Sequence, residues 1–144
     1  MNIFSSPLRA FFILGVFLGM FWNCNHQDKT SEAEVIELIT AEEMQTIIEL
    51  EDVQLIDVRT EKEYNSDHII AAQNINFLSP TFEEDIRKLD KSKPVIVYCE
   101  KGGRSAQCAQ KLKEAGFEKI YDLEGGLSKW RHSKHIKTTH KFKS

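Results

Sequence analysis

The feature that most constrains the fold is the stretch KPVIVYC at residues 93–99, where four apolar residues run without interruption into a cysteine. A short continuous apolar run of this kind predicts a strand that is buried on both faces. The run VQLIDV at residues 53–58 has the same character and ends in charge. Strands buried on both faces are typical of parallel sheets, because connecting helices cover both faces of the sheet. We therefore predict an α/β domain with residues 95–98 in its central strand.

Strand-like and helix-like segments alternate along the rest of the chain. Further strands are predicted at residues 35–40 (VIELIT), 71–77 (AAQNINF) and 117–123 (FEKIYDL). Helices are predicted to begin after the caps Thr40 and Thr60, and at Ser79 with Pro80 in the first helical position. Two more helices are predicted over residues 104–116 and 124–132. This order predicts a mostly parallel sheet with helices between its strands.

The N-terminus has the pattern of a secretory signal peptide. Arg9 precedes an apolar run from Ala10 to Trp22, which is shorter than the roughly 20 residues that a membrane-spanning helix needs. We expect a signal peptide at residues 1–23, a polar tether at 24–34, the folded domain at 35–137 and a basic tail at 138–144.

Cys24 stands directly after the signal core and resembles the lipidated cysteine of bacterial lipoproteins. This resemblance implies a lipoprotein of the bacterial cell envelope, periplasmic or anchored to a membrane through lipid on Cys24. An uncleaved membrane anchor and soluble secretion remain alternatives, and all three place the domain outside the cytoplasm.

Composition excludes several function classes. The chain has 19 basic and 22 acidic residues and a net charge of −3, so no basic field favours nucleic acid. Its three cysteines, Cys24, Cys99 and Cys108, are too few for a disulfide framework. Cys99 and Cys108 also lack the spacing of metal ligands, so we predict no metal site.

Cys99 occupies the place where parallel sheets bind ligands, between the carboxyl end of a strand and a helix. Gly102 and Gly103 allow a tight turn whose N–H groups point inward, and such arrays beside a helix N-terminus bind anions. The same surroundings favour a thiolate, and Lys101 and Arg104 add positive charge. The pattern predicts a nucleophile, and the alternative is a buried structural thiol.

The motifs on both sides of this loop complete a resemblance. VIVYCEKGGRSAQCAQKLKEAGF, at residues 95–117, resembles the active-site segment of single-domain rhodaneses, which are sulfurtransferases. LIDVRTEKEYNSDHIIAAQNI (55–75) is similar to the family's Asp-Val-Arg stretch, and GFEKIYDLEGGLSKW (116–130) to its closing signature. The resemblance implies a rhodanese-like three-layer fold with a mostly parallel central sheet flanked by helices.

The resemblance also implies a ping-pong reaction at Cys99. The thiol would take the outer sulfur of a small donor such as thiosulfate as a persulfide, and cyanide or a thiol acceptor would then remove it. It implies no metal or organic cofactor, and a monomer is sufficient.

The remaining site residues are expected in the loop and at a neighbouring strand end. The loop residues are Glu100, Lys101, Gly102, Gly103, Arg104 and Ser105. Arg104 would bind the donor's anionic group or pin the loop through a carboxylate. Lys101 would favour a dianionic donor or is simply exposed, and Glu100 is expected to point to solvent. Ser105 could donate to the sulfur, but a helix cap is favoured.

Asp57 and Arg59 lie at the carboxyl end of the strand predicted at residues 53–58. They either organise the pocket, as the family implies, or form an ordinary ion pair. For Cys108, on the following helix, packing against the sheet is favoured over disulfide formation with a persulfidated Cys99.

Two other functions were weighed. Rhodanese-like phosphatases have five residues between the cysteine and the arginine, whereas four separate Cys99 from Arg104, and the smaller loop favours sulfur. The second is a persulfide relay or binding module that serves a specific protein partner. Inactive rhodanese domains commonly lose the cysteine, which is retained here.

Overall fold

The structure is a computed structural model that describes residues 34–140 of the 144-residue chain. The predicted signal peptide at residues 1–23 and the predicted lipidation site Cys24 lie outside the described residues. Within residues 34–140, no helix has both the length and the apolar character that crossing a membrane requires.

A five-stranded parallel sheet forms the centre of the domain, and a two-stranded antiparallel sheet stands beside it. In chain order the strands are β1 (Ile36–Ile39), β2 (Gln54–Asp57), β3 (Asp67–Ile69), β4 (Gln73–Asn74), β5 (Val95–Tyr98), β6 (Ile120–Leu123) and β7 (Thr138–His140). The large sheet has the order β1-β6-β5-β2-β4, so β5 is central, as predicted. All four residues of β5 are buried.

Five helices of the described residues connect these strands. They are α1 (Ala41–Leu50), α2 (Glu61–Ser66), α3 (Phe82–Ile86), α4 (Gly103–Glu114) and α5 (Gly126–Trp130). The predicted caps Thr40 and Thr60 are confirmed, because each forms a reciprocal capping box with a glutamate three residues later.

The predicted start of the third helix is wrong. Ser79 and Pro80 lie in a turn in which the Ser79 carbonyl accepts from the Phe82 N–H group. The Ser79 hydroxyl bonds to Thr81 instead of capping a helix. As a result α3 begins two residues after the proline and spans a single turn.

The core has two halves, one on each face of the large sheet. Val95 and Val97 of β5 pack with α4 through Cys108 and Leu112. The alternate residues of β5 face the opposite half, which includes Met44 of α1 and Leu127 of α5. This alternation explains why the run at residues 95–98 is apolar throughout, since both faces of the strand are covered.

Part of the predicted tail is ordered as a strand. Thr138, Thr139 and His140 form β7 and pair with β3 in antiparallel register. Three residues with little apolar character carry too weak a strand pattern to be identified from sequence, and the pairing depends on the distant β3 segment.

Candidate active site

Cys99 lies at the carboxyl end of β5, with 1% of its surface exposed. The backbone N–H group of Gly102 donates to Cys99 Sγ at 3.1 Å. Gly102 has a φ of +92°, in the left-handed region that glycine adopts without strain, and it directly precedes α4. The predicted inward turn is therefore present, and it brings a backbone donor onto the sulfur at the start of a helix.

The loop after Cys99 is held from the other side by α5. Leu127 donates its N–H group to the Cys99 carbonyl at 2.8 Å, and Ser128 donates to the Glu100 carbonyl at 2.9 Å. Gly126 has a φ of +65°, and a Cβ atom there would lie 2.6 Å from the Cys99 oxygen. Gly126 thus forms part of the site, although the sequence indicated it only as one residue of a closing signature.

Arg104 is engaged by a carboxylate. Its two terminal nitrogens donate to the two oxygens of Glu63 at 2.8 and 2.7 Å. Hydrogen bonds from Arg104 hold the pKa of Glu63 at about 2, and Glu63 in turn raises the pKa of Arg104. Of the two contacts expected for Arg104, the structure shows the one that pins the loop. Glu63 was missed because it is 41 residues away in the chain.

The expectation that Glu100 points to solvent is wrong. Its carboxylate accepts from Arg59 at 3.1 Å and from Arg131 at 2.8 and 3.0 Å. Two guanidinium groups from separate segments converge on this side chain, and a carboxylate with such partners is more favourable paired than solvated. Arg131, like Glu63, was not identified from sequence because its role depends on a partner distant in the chain.

Asp57 and Arg59 form a buried ion pair behind Glu100. Arg59 Nη2 lies 2.8 Å from Asp57 Oδ2, and the side chains are 1% and 0% exposed. Burial alone would lower the pKa of Arg59, but the hydrogen bonds that it donates to Asp57 and Glu100, together with the negative charge of Asp57, raise that pKa. The predicted ion pair is present, and Arg59 Nη1 also donates to Glu100 of the loop, whereas a role in organising the pocket stays a prediction.

The prediction that Ser105 caps a helix is also wrong. A cap must accept from a backbone N–H group. The hydroxyl of Ser105 instead donates to the carbonyl oxygen of Gly102 at 3.1 Å, and no side-chain cap is present at the start of α4. Ser105 is fully buried, and the structure places its side chain against the loop backbone rather than at the sulfur of Cys99.

Two titratable groups lie beneath the loop. Cys108 is fully buried, and burial raises the pKa of its thiol to about 12, which fits the favoured packing role. Asp122 of β6 was missed; burial raises the pKa of its carboxyl to about 6, and a hydrogen bond from Ser105 partly offsets this. The signal available in the sequence was an acid inside the otherwise apolar strand IYDL.

Cys99 opens into a cavity of about 350 Å³. Its lining residues are Glu63, Cys99, Glu100, Lys101, Gly103 and Arg104. Glu63 and Glu100 also line an adjoining cavity of about 450 Å³ that includes Arg59 and Arg131. A larger cavity of about 570 Å³ lies along β1 and α1 and contains no residue of the Cys99 loop. The site at Cys99 is therefore a small opening whose lining includes four charged residues and which has room for a small molecule.

Comparison with known proteins agrees with this architecture. A chain 36% identical over 85 residues, covering 59% of this protein and 78% of the relative, is the thiosulfate sulfurtransferase GlpE of Coxiella burnetii. GlpE of Shewanella oneidensis is 32% identical over 95 residues, or 66% of this chain and 92% of the relative.

Solved structures show the same fold. The Alr3790 protein from Anabaena sp. superimposes with a TM-score of 0.64 at 26% identity, over 72% of this chain and 93% of that one. A rhodanese-related protein from Thermoplasma volcanium gives 0.63 at 26% identity, over 72% and 97%. The predicted rhodanese-like fold, a mostly parallel sheet flanked by helices, is confirmed. The profile of the rhodanese-like domain matches residues 40–133, and the chain therefore belongs to the rhodanese-like domain family.

Proposed function

We propose that this protein is a sulfurtransferase that moves a sulfane sulfur from thiosulfate or a similar donor to cyanide or a thiol acceptor. The observation that carries the proposal is the Gly102 N–H group 3.1 Å from Cys99 Sγ, in a loop with four residues between the cysteine and Arg104. The two GlpE relatives, named as thiosulfate sulfurtransferases, support this donor class.

In the first half-reaction, the Cys99 thiolate attacks the outer sulfur of thiosulfate. A new S–S bond forms at Cys99, the S–S bond of the donor breaks, and sulfite leaves with the electron pair. In the second half-reaction, cyanide attacks the outer sulfur of the persulfide. Thiocyanate leaves and the Cys99 thiolate is restored. Backbone N–H groups of the loop stabilise negative charge on sulfur, in the manner of an oxyanion hole.

Charge at the cavity limits which groups can attract the donor. Glu63 compensates Arg104. Arg59 and Arg131 are compensated by three carboxylates, those of Asp57, Asp67 and Glu100. Lys101 lines the same cavity, and within residues 34–140 it takes part in no ion pair with a carboxylate. An anionic donor would therefore be attracted mainly by Lys101 and the backbone N–H groups, with the arginines serving to shape the loop.

The test is thiocyanate formation from thiosulfate and cyanide in wild type, Cys99→Ser and Cys108→Ser. We expect no turnover in Cys99→Ser and near wild-type turnover in Cys108→Ser, since Cys108 is fully buried. Mass spectrometry after donor treatment should show the added mass of one sulfur atom on the Cys99 peptide. Persulfide formation without transfer to cyanide or small thiols would favour a relay to a protein partner. Absence of any persulfide with thiosulfate, thiosulfonates or mercaptopyruvate would contradict the proposal.

We also propose that the protein acts outside the cytoplasm, anchored to a membrane of the bacterial envelope through lipid on Cys24. The support is the apolar run from Ala10 to Trp22, followed directly by Asn23 and Cys24. Wild-type protein should partition into detergent and Cys24→Ala should not. Partitioning that survives Cys24→Ala, or processing that is insensitive to globomycin, would contradict lipidation.

A further inference from the structure

A buried carboxyl group lies beneath the Cys99 loop. Asp122 of β6 is 3% exposed and pairs in register with Val97, two residues before Cys99. Within residues 34–140, Oδ1 of Asp122 is the buried side-chain atom of nitrogen or oxygen that lacks a hydrogen-bond partner. A buried polar atom without a partner is costly, and a buried ionised carboxylate without a cation costs more. Asp122 forms no ion pair with any described cation.

Ser105 connects this carboxyl group to the loop. A hydrogen bond from the Ser105 hydroxyl would lower the pKa of Asp122 by favouring its ionised form, and in the structure this hydroxyl donates to the Gly102 carbonyl at 3.1 Å. A serine hydroxyl has one proton to donate. It cannot donate to an ionised Asp122 and to the Gly102 carbonyl at the same time.

Gly102 links the hydroxyl to the sulfur. Its carbonyl accepts from Ser105 and from the Ala106 N–H group at 3.0 Å, and its own N–H group faces Cys99 Sγ at 3.1 Å. When the carboxyl of Asp122 is neutral, its O–H group can donate to Ser105 while the Ser105 hydroxyl donates to Gly102, and no uncompensated charge is buried. When it is ionised, it accepts a hydrogen bond from the Ser105 hydroxyl, and the Gly102 carbonyl keeps only its hydrogen bond from the Ala106 N–H group.

We propose that Asp122 is a positioning residue for Cys99, and that its protonation state decides whether Ser105 holds the Gly102 loop residue. This inference rests on the proposed function in so far as Cys99 is the reactive thiol. The buried carboxyl, the single hydroxyl proton and the glycine N–H group at the sulfur are the three observations that carry it.

The other titratable groups around Asp122 do not supply a partner. From α4, Cys108 faces it as a buried thiol, and Cys99 lies at the end of β5. Glu83 and Lys111 also act on Cys108, but they form an ion pair with each other. No residue within 34–140 therefore neutralises an ionised Asp122, and burial raises its pKa to about 6, within reach of mild acid.

The test uses the full chain and measures the rate at which dithiodipyridine modifies Cys99 as a function of pH. Peptide mass mapping separates Cys99 from Cys24 and Cys108. Loss of one neutral hydrogen bond corresponds to about a 2- to 10-fold change in rate. In wild type, we expect the logarithm of the rate to deviate by this amount from a single-thiol profile near pH 6.

Three variants decide the outcome. Asp122→Asn, whose amide can donate to Ser105 at every pH, should remove the deviation, and Ser105→Ala should remove it as well. Asp85→Asn, which deletes a partly exposed carboxylate bound to Lys88, is the control and should retain the deviation. A wild-type profile without the deviation would overturn the proposal, as would a deviation that persists in Asp122→Asn. Persistence in Ser105→Ala would show that the carboxylate acts directly through its charge, which also overturns it.

The measurement needs neither a sulfur donor nor an acceptor. A protein that fails to transfer sulfur but shows the deviation would contradict the proposed function and leave this inference standing. Normal sulfur transfer without the deviation would support the proposed function and contradict the role of Asp122.

Discussion

The charged groups on the two sides of the Cys99 loop differ in their partners. We call the side that faces Glu63, Arg59 and Arg131 the outer side, and the side that faces Asp122 the underside. On the outer side, Arg104 meets Glu63, while Arg59 and Arg131 meet Glu100. On the underside, Asp122 meets only the hydroxyl of Ser105, and one of its oxygens has no partner within residues 34–140. The difference shows that compensated charges surround the loop on its outer side, whereas beneath it lies a buried carboxyl group whose proposed influence on the loop depends on a proton. The outer side should therefore respond to loss of a charge, and the underside to pH.

The largest loss of stability should come from breaking the buried ion pair of Arg59 and Asp57, which belongs to the ion-pair network on the outer side. Arg59→Ala would leave Asp57, whose side chain is 0% exposed, as an uncompensated buried carboxylate. Loss of one partner of a buried ion pair typically destabilises a protein by about 3 to 5 kcal/mol. Urea unfolding of wild type and Arg59→Ala, followed by circular dichroism, measures the difference.

The matched control for Arg59 is an exposed ion pair. Lys93→Ala removes the partner of Asp52, whose side chain is 82% exposed, and no measurable loss of stability is expected. Equal losses of stability in Arg59→Ala and Lys93→Ala would contradict the view that the buried ion pair stabilises the protein more than an exposed one.

The next largest effect is the pH dependence of stability that Asp122 on the underside should cause. The folded-state pKa of Asp122 is raised from 3.8 to about 6, so the folded protein binds this proton more tightly than the unfolded chain does. Its stabilising contribution is complete below about pH 4 and declines as the pH rises to about 6. A difference of about two units between the pKa values of the folded and unfolded states corresponds to up to about 3 kcal/mol in the free energy of unfolding. Asp122→Asn should remove this decline, so its advantage over wild type should grow between about pH 4 and about pH 7.

The control for this pH dependence has the opposite sign. Hydrogen bonds from Lys88 lower the pKa of Asp85, so its contribution to stability is present at neutral pH and lost on acidification. Asp85→Asn should therefore lose stability relative to wild type as the pH rises through the acid range. If the stability of Asp122→Asn and Asp85→Asn relative to wild type changed in the same direction with pH, the raised pKa of Asp122 would be refuted.

A third prediction concerns the close approach of Gly126 in α5 to the backbone of Cys99 and Glu100. Gly126→Ala would place Cβ 2.6 Å from the Cys99 carbonyl oxygen and 2.7 Å from Glu100, at a φ of +65°. The left-handed conformation costs about 1 to 2 kcal/mol for an L-residue, and the steric overlap adds about 1 kcal/mol or more. Thermal unfolding should show this loss, together with faster modification of Cys99 as the loop shifts.

Gly103→Ala provides the comparison, since a Cβ there meets no atom within 4 Å and the residue opens α4. Its stability should equal or slightly exceed that of wild type, because alanine favours the helix. Similar destabilisation of both variants would show that the loop tolerates no side chain, rather than that α5 presses on it at Gly126.

Prediction from sequence succeeded where the determining contacts are local. The run at residues 95–98 predicted the central strand, and Thr40 and Thr60 predicted two helix starts, because each signal spans a few neighbouring residues. The family motifs placed Cys99 and its glycine turn correctly for the same reason.

The failures share a different cause. The partners of Glu100 and Arg104 are 31 to 41 residues away in the chain, and no local pattern states which charges the fold will bring together. Ser105 resembled a cap by position, but its hydroxyl donates to the Gly102 carbonyl instead of accepting from a backbone N–H group. The motif thus predicts where Cys99 and its glycine turn lie, whereas the ion pairs around them depend on the tertiary structure.

The smallest effect concerns the outer pair that faces the cavity. Glu63→Gln keeps an oxygen for the Thr60 capping box but removes the negative charge that compensates Arg104. The freed guanidinium lines the cavity at Cys99, so the KM for thiosulfate should fall a few-fold with little change in kcat, an effect of about 1 kcal/mol or less. The decrease should shrink at high salt, since the pair is partly exposed. Glu61→Gln removes the same charge from the same turn of α2 and controls for net charge. Equal shifts in the two variants would mean that the donor responds to the overall field and not to Arg104, and the outer side would then serve structure alone.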